Sequence, residues 1–230
     1  MTASCVSQRY FDNTVLLWYW FYVSDRKLSL FPESDMRIQG NESSLMELRD
    51  KAAMCQKCEL HESRLNSVFG IGNADSPDIA FVGEGPGAAE DDIGSPFAGN
   101  GGKLLDLMIE AMGYTRADVY LCNVVSCRTP DTRTPEPEEV AACNVFLTGQ
   151  LRIVQPKVIV ALGATAAQSL ANSQKSLKDL RGRWLEWKDK KAGLKIPLRA
   201  TYHPSYLLRS KEHKAGAWKD LQIVAGWIKG

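Results

Sequence analysis

Three polar side chains that can form hydrogen bonds or transfer protons lie at or just after the ends of apolar runs that predict β-strands. Glu84 follows a short apolar run, Asn123 ends a second one, and His203 follows a fourth. Because the carboxyl ends of parallel strands meet at one edge of a sheet, we expect these groups to lie close together. A carboxylate, an amide and an imidazole can jointly bind a polar ligand and transfer protons. The sequence therefore predicts a ligand-binding or catalytic site at this edge.

A loop with seven glycines follows the first of these strands, within residues 82–105. Glycine-rich loops often bind phosphate, but the Walker pattern is missing because Leu104 stands where a serine or threonine would bind magnesium. A dinucleotide fingerprint would place Glu84 and Glu90 beside a pyrophosphate, which their charges would repel. We therefore expect the loop to hold a neutral, planar ligand and a carboxylate.

Four of the six cysteines form a pattern of their own. Cys55 and Cys58 are a C-x2-C pair, and Cys127 and Cys143 follow with fifteen residues between them. Thiolates in such a set bind either zinc or an iron–sulfur cluster, and the spacing alone leaves the two open. A disulfide is the weaker alternative in a reducing compartment. Cys122 falls in the middle of a predicted strand, where a small buried side chain is expected.

The elements that must position these groups alternate between strands and helices. Apolar runs predict four strands, at 78–83, 119–125, 157–162 and 198–202. Helical spacing predicts helices at 43–55, 102–112, 137–151, from 164 onward and through 218–228. Helices between strands imply a mostly parallel sheet that is covered on both faces. The expected fold class is α/β, with three layers (α/β/α) around a central four-stranded sheet.

Charge and composition narrow the class of protein. Of the 230 residues, 44% are hydrophobic and 24% are charged, which is typical of a globular chain. From Gln150 onward, 16 Lys and Arg stand against 5 Asp and Glu, whereas residues 1–149 carry 12 and 22. The basic C-terminal part is compatible with a polyanionic partner such as nucleic acid.

Residues 1–40 share no pattern with the rest of the chain. Their apolar run at 14–23 is about half the length that spans a bilayer. We therefore expect no membrane partner, a cytoplasmic location, an extension of unknown role at 1–40 and a single domain at 41–230.

Six blocks of sequence match one known family in their order and content. They are GEGPGAAED at 83–91, SPFAGNGGKLLD at 95–106, YLCNVVSCRTP at 120–130, RTPEPEEVAAC at 133–143, VIVALGATAA at 158–167 and TYHPSYLLR at 201–209. Together they resemble the family-4 uracil-DNA glycosylases, the iron–sulfur branch of the uracil-DNA glycosylase superfamily, over about residues 48–228.

The resemblance implies a uracil-glycosylase-like fold and a monofunctional enzyme of base excision repair. Such an enzyme flips uracil out of DNA and hydrolyses its N-glycosidic bond, leaving an abasic site. The resemblance also implies a structural 4Fe–4S cluster in place of zinc, bound by Cys55, Cys58, Cys127 and Cys143.

The chemistry of that reaction gives the strand-end residues their expected roles. Glu84 would position or activate water or stabilise the cationic sugar, and His203 would donate a hydrogen bond to uracil O2 as negative charge grows. Phe97 would stack on the uracil ring. The amide of Asn123 would pair with O4 and N3–H of uracil and reject the inverted pattern of cytosine.

Three further residues of the glycine-rich loop complete the expected base site. The resemblance alone places Glu90 against C5 of the base, where a thymine methyl group would clash. Gly85 and Gly87 would let the backbone approach the base and the sugar closely.

The segment after His203 is expected to contact DNA. Small polar and basic side chains would hold phosphates, and one of three larger side chains would insert into the gap left by the base. The phosphate-binding candidates are Ser205 and Arg209, and the inserting candidates are Tyr206, Leu207 and Leu208.

Other functions stay open at this point. A catalytically silent protein would bind uracil-containing DNA and leave the base attached, and a small iron–sulfur redox or nucleotide-binding protein is a third class. A glycosylase for another deaminated base, such as hypoxanthine, is also open because pocket width is not visible in a sequence. The expected partner is uracil-containing DNA, single- or double-stranded, and the expected state is a monomer.

Overall fold

The computed structural model describes residues 33–230, with side chains from residue 41 onward. Most of the expected extension at 1–40, including its apolar run at 14–23, lies outside the described residues. Residues 38–230 form one compact unit. Within the described part of the chain, every helix is too short or too polar to cross a membrane.

A six-stranded sheet lies at the centre of this unit. Its strands in chain order are β1 (Ile71–Gly72), β2 (Ile79–Gly83), β3 (Tyr120–Asn123), β4 (Val158–Leu162), β5 (Trp184–Asp189) and β6 (Leu194–Thr201). Their spatial order is β1-β3-β2-β4-β6-β5. Strands β3, β2, β4 and β6 pair in parallel, which confirms the predicted four-stranded centre. The two edge strands pair antiparallel and add to the predicted count.

The edge strands carry weaker sequence signals than the central ones. All five residues of β2 and of β4 are buried, whereas exposed and buried side chains mix along β5. Strand β5 pairs with β6 from Trp184 opposite Arg199 to Asp189 opposite Leu194. Strand β1 has only two residues. A strand buried on both faces gives a continuous apolar run, which an edge strand does not.

Nine α-helices are assigned within the described residues. They are α1 (Glu33–Ala53), α2 (Leu60–Ser63), α3 (Ala88–Ile93), α4 (Asn100–Ala111), α5 (Pro137–Val154), α6 (Ala164–Ala171), α7 (Leu177–Leu180), α8 (Pro204–Arg209) and α9 (Lys214–Lys229). Helix α1 begins before the expected start at Ser43, which is a correction: the polar residues ahead of Ser43 continue the helix. Helix α5 begins with Pro137 in its first turn, as predicted.

The core has two layers, one on each face of the sheet. Ala80 and Val82 of β2 share a core cluster with residues of α5 and α6. Ile79 and Phe81 of the same strand share a second cluster with residues of α4 and α9. Alternation along a strand sends successive side chains to opposite faces, so the three-layer α/β/α prediction is confirmed. The loops that leave the carboxyl ends of β2, β4 and β6 lead into α3, α6 and α8.

Candidate active site

The carboxyl ends of the four parallel strands surround one cavity of about 620 Å³. Glu84, Asn123 and His203 line it, as expected from their places at strand ends, and Phe97 lines it too. The other sequence-predicted residues in its wall are Gly85, Gly87, Glu90, Ser205, Tyr206 and Arg209. The structure thus brings a carboxylate, an amide, an imidazole and an aromatic ring to a single space.

Glu84 is half-buried, and its carboxylate is held from another element. The hydroxyl of Thr165, in the first turn of α6, donates a short hydrogen bond to Oε2 of Glu84. The N–H of Val125 donates to the backbone carbonyl of Glu84 at 3.1 Å. Sequence reasoning missed Thr165, because it lies 81 residues from its partner and no local pattern links the two.

His203 is held in one tautomer by the start of α8. The N–H of Ser205 donates to Nδ1 of His203 at 3.2 Å, so Nδ1 is the acceptor and Nε2 carries the proton of the neutral ring. Burial, opposed by the charge of Glu90 and aided by that of Arg209, lowers the pKa of His203 to about 4. The ring is therefore neutral at pH 7, with a single N–H donor.

Phe97 has a left-handed backbone, with φ of 55°, and its side chain is only 7% exposed. The centroid of its ring lies 6.3 Å from that of the His203 ring, at an interplanar angle of 26°. A positive φ in a phenylalanine costs on the order of 1–3 kcal/mol and needs support from its surroundings. Arg116 supplies it: the guanidinium donates to the carbonyl of Phe97 at 3.2 Å and pairs with Asp106 at 2.8 Å. Sequence reasoning missed Arg116.

Asn123 ends β3 with a free amide. Its side chain is buried, and none of the described residues hydrogen-bonds to it, so both its donor and its acceptor are open to a ligand. Gly83, which pairs with Asn123 across the sheet, makes room for this arrangement. A Cβ at Gly83 would lie 2.8 Å from Cζ of Phe97 and would collide with Oδ1 of Asn123.

Both oxygens of the Glu90 carboxylate are already bound to the backbone. They accept from the N–H of Gly87 at 3.0 Å and from the N–H of Gly99 at 2.8 Å, which ties the two halves of the glycine-rich loop together. A Cβ at Gly85 would lie 2.7 Å from Cγ2 of Val125. The small size of Gly85 is therefore needed first by the protein's own packing. The expected contacts of Glu90, Gly85 and Gly87 with the base stay predictions.

The residues of α8 that are expected to contact DNA lie on two faces of the helix, one exposed and one buried. Tyr206 is 37% and Leu208 40% exposed, Arg209 is exposed, and Ser205 is half-buried against Gly101. Leu207 is only 1% exposed, so its expected place as an inserting side chain is wrong for this structure: its side chain packs into the interior. Tyr206 and Leu208 remain the candidates on the open face.

The four patterned cysteines line a second, small cavity. Cys55 and Cys58 follow helix α1, Cys127 follows β3, and Cys143 lies on α5. Cys122 is buried within β3, where burial raises the pKa of its thiol to about 12, as expected for a core residue. Cys5 lies outside the described residues.

Arg64 joins two of the cysteine-bearing segments. Its Nη1 lies 3.0 Å from Sγ of Cys127, while its Nη2 donates to the carbonyls of Ala53 at 2.6 Å and of Cys55 at 3.1 Å. Cys143 also accepts, from the N–H of Ser126 at 3.3 Å. Sequence reasoning missed Arg64, which is six residues from Cys58 in the sequence but 63 from Cys127.

The donor set of this cavity fits a sulfur-ligated group. Its lining includes four thiols and no carboxylate, and N–H groups point at two of the sulfurs, which is the environment of iron–sulfur ligands. Burial raises the pKa of the Cys143 thiol to about 11 and also raises that of Cys127. Within the described residues, no group of three or more His, Cys, Asp or Glu side chains could hold a metal ion as it stands, so the fit rests on the chemistry of the lining residues and not on an assembled ligand geometry.

A family model and three curated relatives of this chain agree with one another. The model of the uracil DNA glycosylase superfamily matches residues 69–222. The chain is 48% identical to the type-4 uracil-DNA glycosylase of Thermotoga maritima, over 80% of this chain and 95% of that protein. It is 38% identical to the enzyme of that name from Pyrobaculum aerophilum, over 79% and 93% of the two chains. It is 41% identical to the type-4 uracil-DNA glycosylase of Archaeoglobus fulgidus, over 72% of this chain and 83% of that protein.

The residues that the family model matches include the glycine-rich loop, the strand ends and the segment after His203, which are the parts of the chain that build the cavity. The chain therefore belongs to the uracil DNA glycosylase superfamily and, within it, to the type-4 uracil-DNA glycosylases.

Proposed function

We propose that this protein removes uracil from DNA by hydrolysing the bond between C1′ of deoxyribose and N1 of the base. The observation that carries the proposal is the convergence of Glu84, Asn123, His203 and Phe97 on one cavity in a chain of this family. Because the bond is inaccessible inside a base stack, the nucleotide must be extruded into the cavity before reaction.

Asn123 selects the base. Its buried amide has no partner among the described residues, so its N–H can donate to uracil O4 while its oxygen accepts from N3–H. Cytosine presents a donor in place of O4 and an acceptor in place of N3–H, so both hydrogen bonds would be lost. The ring of Phe97 supplies an apolar face in the same cavity, on which the planar base stacks.

His203 stabilises the leaving group. As the C1′–N1 bond breaks, negative charge grows on the N1–C2–O2 system of uracil. The neutral ring already presents Nε2–H, because Nδ1 accepts from Ser205 N–H. A donor that needs no reorganisation during reaction is worth roughly 10²- to 10³-fold in rate.

Glu84 acts on the sugar side of the bond. Its carboxylate stabilises the positive charge that develops at C1′ and accepts a proton from the attacking water, whose oxygen becomes bonded to C1′. The hydrogen bond from Thr165 fixes the carboxylate for this task. None of the residues that line the cavity is a lysine, so we propose a monofunctional glycosylase without a Schiff-base step.

The four patterned cysteines are proposed to bind a 4Fe–4S cluster. When bound, such a cluster would cross-link the segment after α1, the segment after β3 and helix α5 through four Fe–S bonds. In this proposal the cluster is structural, and the glycosidic bond is broken by the groups in the cavity alone. Arg64 and the N–H of Ser126 contribute hydrogen bonds to two of the sulfurs.

We propose that the enzyme is a monomer, that it is located in the cytoplasm, and that it acts on single- or double-stranded DNA. None of the five cysteines within the described residues forms a disulfide, which suits a reducing compartment. Exposed basic side chains near α8, such as Arg209 and Lys211, suit the phosphates of either form of DNA.

A labelled oligonucleotide with one uracil tests the proposal. The protein is incubated with it in excess EDTA, and abasic sites are then cleaved with alkali. We expect cleavage at the uracil position only, and a loss of roughly 10²-fold or more in Glu84→Gln and in His203→Ala. Leu107→Ala, at a residue that is 61% exposed and outside the cavity, is the matched control and should keep the wild-type rate. Intact DNA after incubation with folded wild-type protein would overturn the proposal.

A further inference from the structure

A surface stack of three aromatic rings lies beside the cavity and has no part in the bond cleavage described above. The centroid of the His213 ring lies 4.7 Å from that of Tyr202 and 5.5 Å from that of Tyr206, and the two tyrosine rings are 5.6 Å apart. The interplanar angles are 28°, 22° and 23°. The three rings are thus inclined to one another by less than 30°, and they form a compact group because all three centroid distances are similar. We call them the ring stack.

The Tyr202 ring of the stack is supported by an ion pair in which the carboxylate is buried and the guanidinium is partly buried. The guanidinium carbon of Arg181 lies 4.0 Å from the centre of the Tyr202 ring, in a cation–π arrangement. Nε and Nη2 of Arg181 both contact the carboxylate of Asp220 at 2.8 Å. Asp220 is only 4% exposed and also accepts from the hydroxyl of Thr201 at 2.9 Å. Tyr202 therefore has a rigid support.

The Tyr206 ring of the stack is exposed to solvent and adjoins the cavity. Tyr206 is 37% exposed. Tyr202 and Tyr206 both line the cavity that contains Glu84 and His203. Three basic side chains near the stack are exposed and available to phosphates: Arg209, Lys211 and Lys214. A planar aromatic surface next to basic side chains is the arrangement by which proteins bind single-stranded nucleic acid.

We propose that the ring stack binds the base of a nucleotide that neighbours uracil in the same strand, by stacking on Tyr206. The proposal rests on the function proposed above. When uracil leaves the base stack, its neighbour loses one stacking partner, and the exposed face of Tyr206 replaces it. This role differs from insertion of an apolar side chain, because it requires a planar ring and operates in single-stranded DNA.

Fluorescent single-stranded oligonucleotides test the inference without any need for catalysis. Each contains a tetrahydrofuran abasic analogue, with 2-aminopurine placed directly on its 5′ or its 3′ side. Stacking quenches 2-aminopurine, so at saturating wild-type protein we expect the probe to stay dim at one of the two positions. In Tyr206→Leu the same probe should brighten, and binding should weaken by roughly 5- to 150-fold, the range for loss of one base–aromatic stack.

Three further variants distinguish the possible causes. Tyr206→Phe keeps the ring and should behave like the wild type, and His213→Leu should brighten the probe by removing one ring of the stack. Trp227→Leu is the matched control. Trp227 is 46% exposed and belongs to a different aromatic pair, in which its ring centroid lies 5.4 Å from that of Trp184. This variant should leave both fluorescence and affinity unchanged.

Several results would overturn the inference. One is wild-type fluorescence and affinity in Tyr206→Leu. Another is a probe that is bright at both positions in the wild-type complex. A third is an effect of Leu208→Ala that exceeds that of Tyr206→Leu, which would assign the contact to an inserted apolar side chain.

Excision and probe fluorescence report separately on the enzyme and on the ring stack. Normal excision of uracil by both the wild type and Tyr206→Leu, with no change in the probe, would remove the ring stack from DNA binding and leave the enzyme intact. A wild type that leaves uracil in place but keeps the probe dim would instead contradict the enzymatic proposal.

Discussion

The N–H of Ser205 donates a hydrogen bond to Nδ1 of His203 at 3.2 Å, and this contact decides which ring nitrogen carries the proton. The two residues belong to the turn in which β6 passes into α8, so the same local structure places the imidazole at the cavity and sets its tautomer. Burial of the ring also lowers the pKa of His203 from its ordinary value of 6.5 to about 4.

Excision should therefore be insensitive to pH across the ordinary titration range of histidine. With a folded-state pKa of about 4, His203 stays neutral from about pH 8 to about pH 5, and the rate should fall only as the pH approaches 4. Single-turnover excision measured over this range tests the prediction. A decrease in rate centred near the ordinary pKa of 6.5 would contradict it, provided that circular dichroism shows a folded protein throughout.

The lowered pKa of His203 should also make the stability of the fold depend on pH. Between the folded-state pKa of about 4 and the unfolded-state pKa of 6.5, the unfolded chain binds more protons at His203 than the folded chain does. The free energy of unfolding should therefore be greatest above pH 6.5 and should decrease as the pH falls toward 4. Denaturant titrations of the wild type and His203→Gln at both ends of this range check the effect. The variant should show a smaller loss on acidification.

Thr165→Val should lower the rate of bond cleavage more than it lowers affinity for DNA. Valine has the shape of threonine but cannot donate to Glu84, so the carboxylate would lose its fixed orientation. We expect a loss of roughly 10- to 100-fold in the single-turnover rate. The dissociation constant for uracil-containing DNA should stay within about 3-fold of the wild type.

Thr165→Ser is the control for that prediction, because it keeps the hydroxyl group and removes only a methyl group. It should retain most of the wild-type rate. Equal losses in the serine and valine variants would show that packing at the start of α6, and not the hydrogen bond to Glu84, is what matters.

Gly83→Ala should abolish activity in a protein that still folds. The added Cβ would meet the Phe97 ring 2.8 Å away and the oxygen of Asn123, so the surfaces expected to bind both the face and the edge of the base would be displaced. We expect a loss of about 100-fold or more in excision, with destabilisation of roughly 1–3 kcal/mol from overpacking. Excision assays and denaturant titration measure the two effects separately.

Gly226→Ala is the matched control for Gly83→Ala. Nothing lies within 4 Å of a Cβ at Gly226 in helix α9, so this variant should keep wild-type activity and unfold no more easily. Activity in Gly83→Ala within a few-fold of the wild type would show that the pocket can rearrange around the added methyl group.

The residues of the site that could be predicted are those whose positions follow from the direction of the strands. Glu84, Asn123 and His203 reach one cavity because parallel strands carry their carboxyl ends to the same edge, and the apolar runs of those strands are visible in the sequence. The burial of Leu207 was not visible. In a six-residue helix such as α8, the sequence does not reveal which side packs inward.

The parts that could not be predicted are contacts across long sequence separations. Thr165 reaches Glu84 over 81 residues, and Arg64 reaches Cys127 over 63. Arg116 supports Phe97 from 19 residues away, in a loop whose left-handed φ no local pattern announces. Side chains of this kind act only once the tertiary fold has formed, so composition and periodicity cannot identify them.

Arg64→Gln should weaken retention of the proposed cluster. The guanidinium donates to the Cys127 sulfur at 3.0 Å and to the carbonyl of Cys55 at 3.1 Å, so its loss leaves two cysteine-bearing segments less firmly joined. Purified variant protein should contain less iron and sulfide per chain and show weaker visible absorbance. Its melting temperature should fall by roughly 3–12 °C, the range for loss of hydrogen bonds to a charged group in a chain of this size.

Arg49→Gln is the control for cluster retention, since Arg49 is an exposed arginine on α1 whose only ion-pair partner among the described residues is the neighbouring Asp50, at 3.9 Å. It should keep the iron content and the melting temperature of the wild type. Iron and sulfide analysis together with thermal unfolding provides this comparison independently of glycosylase activity. A full complement of iron and an unchanged melting temperature in Arg64→Gln would contradict the assignment, because the hydrogen bonds from Arg64 would then have no role in holding the cysteine-bearing segments together.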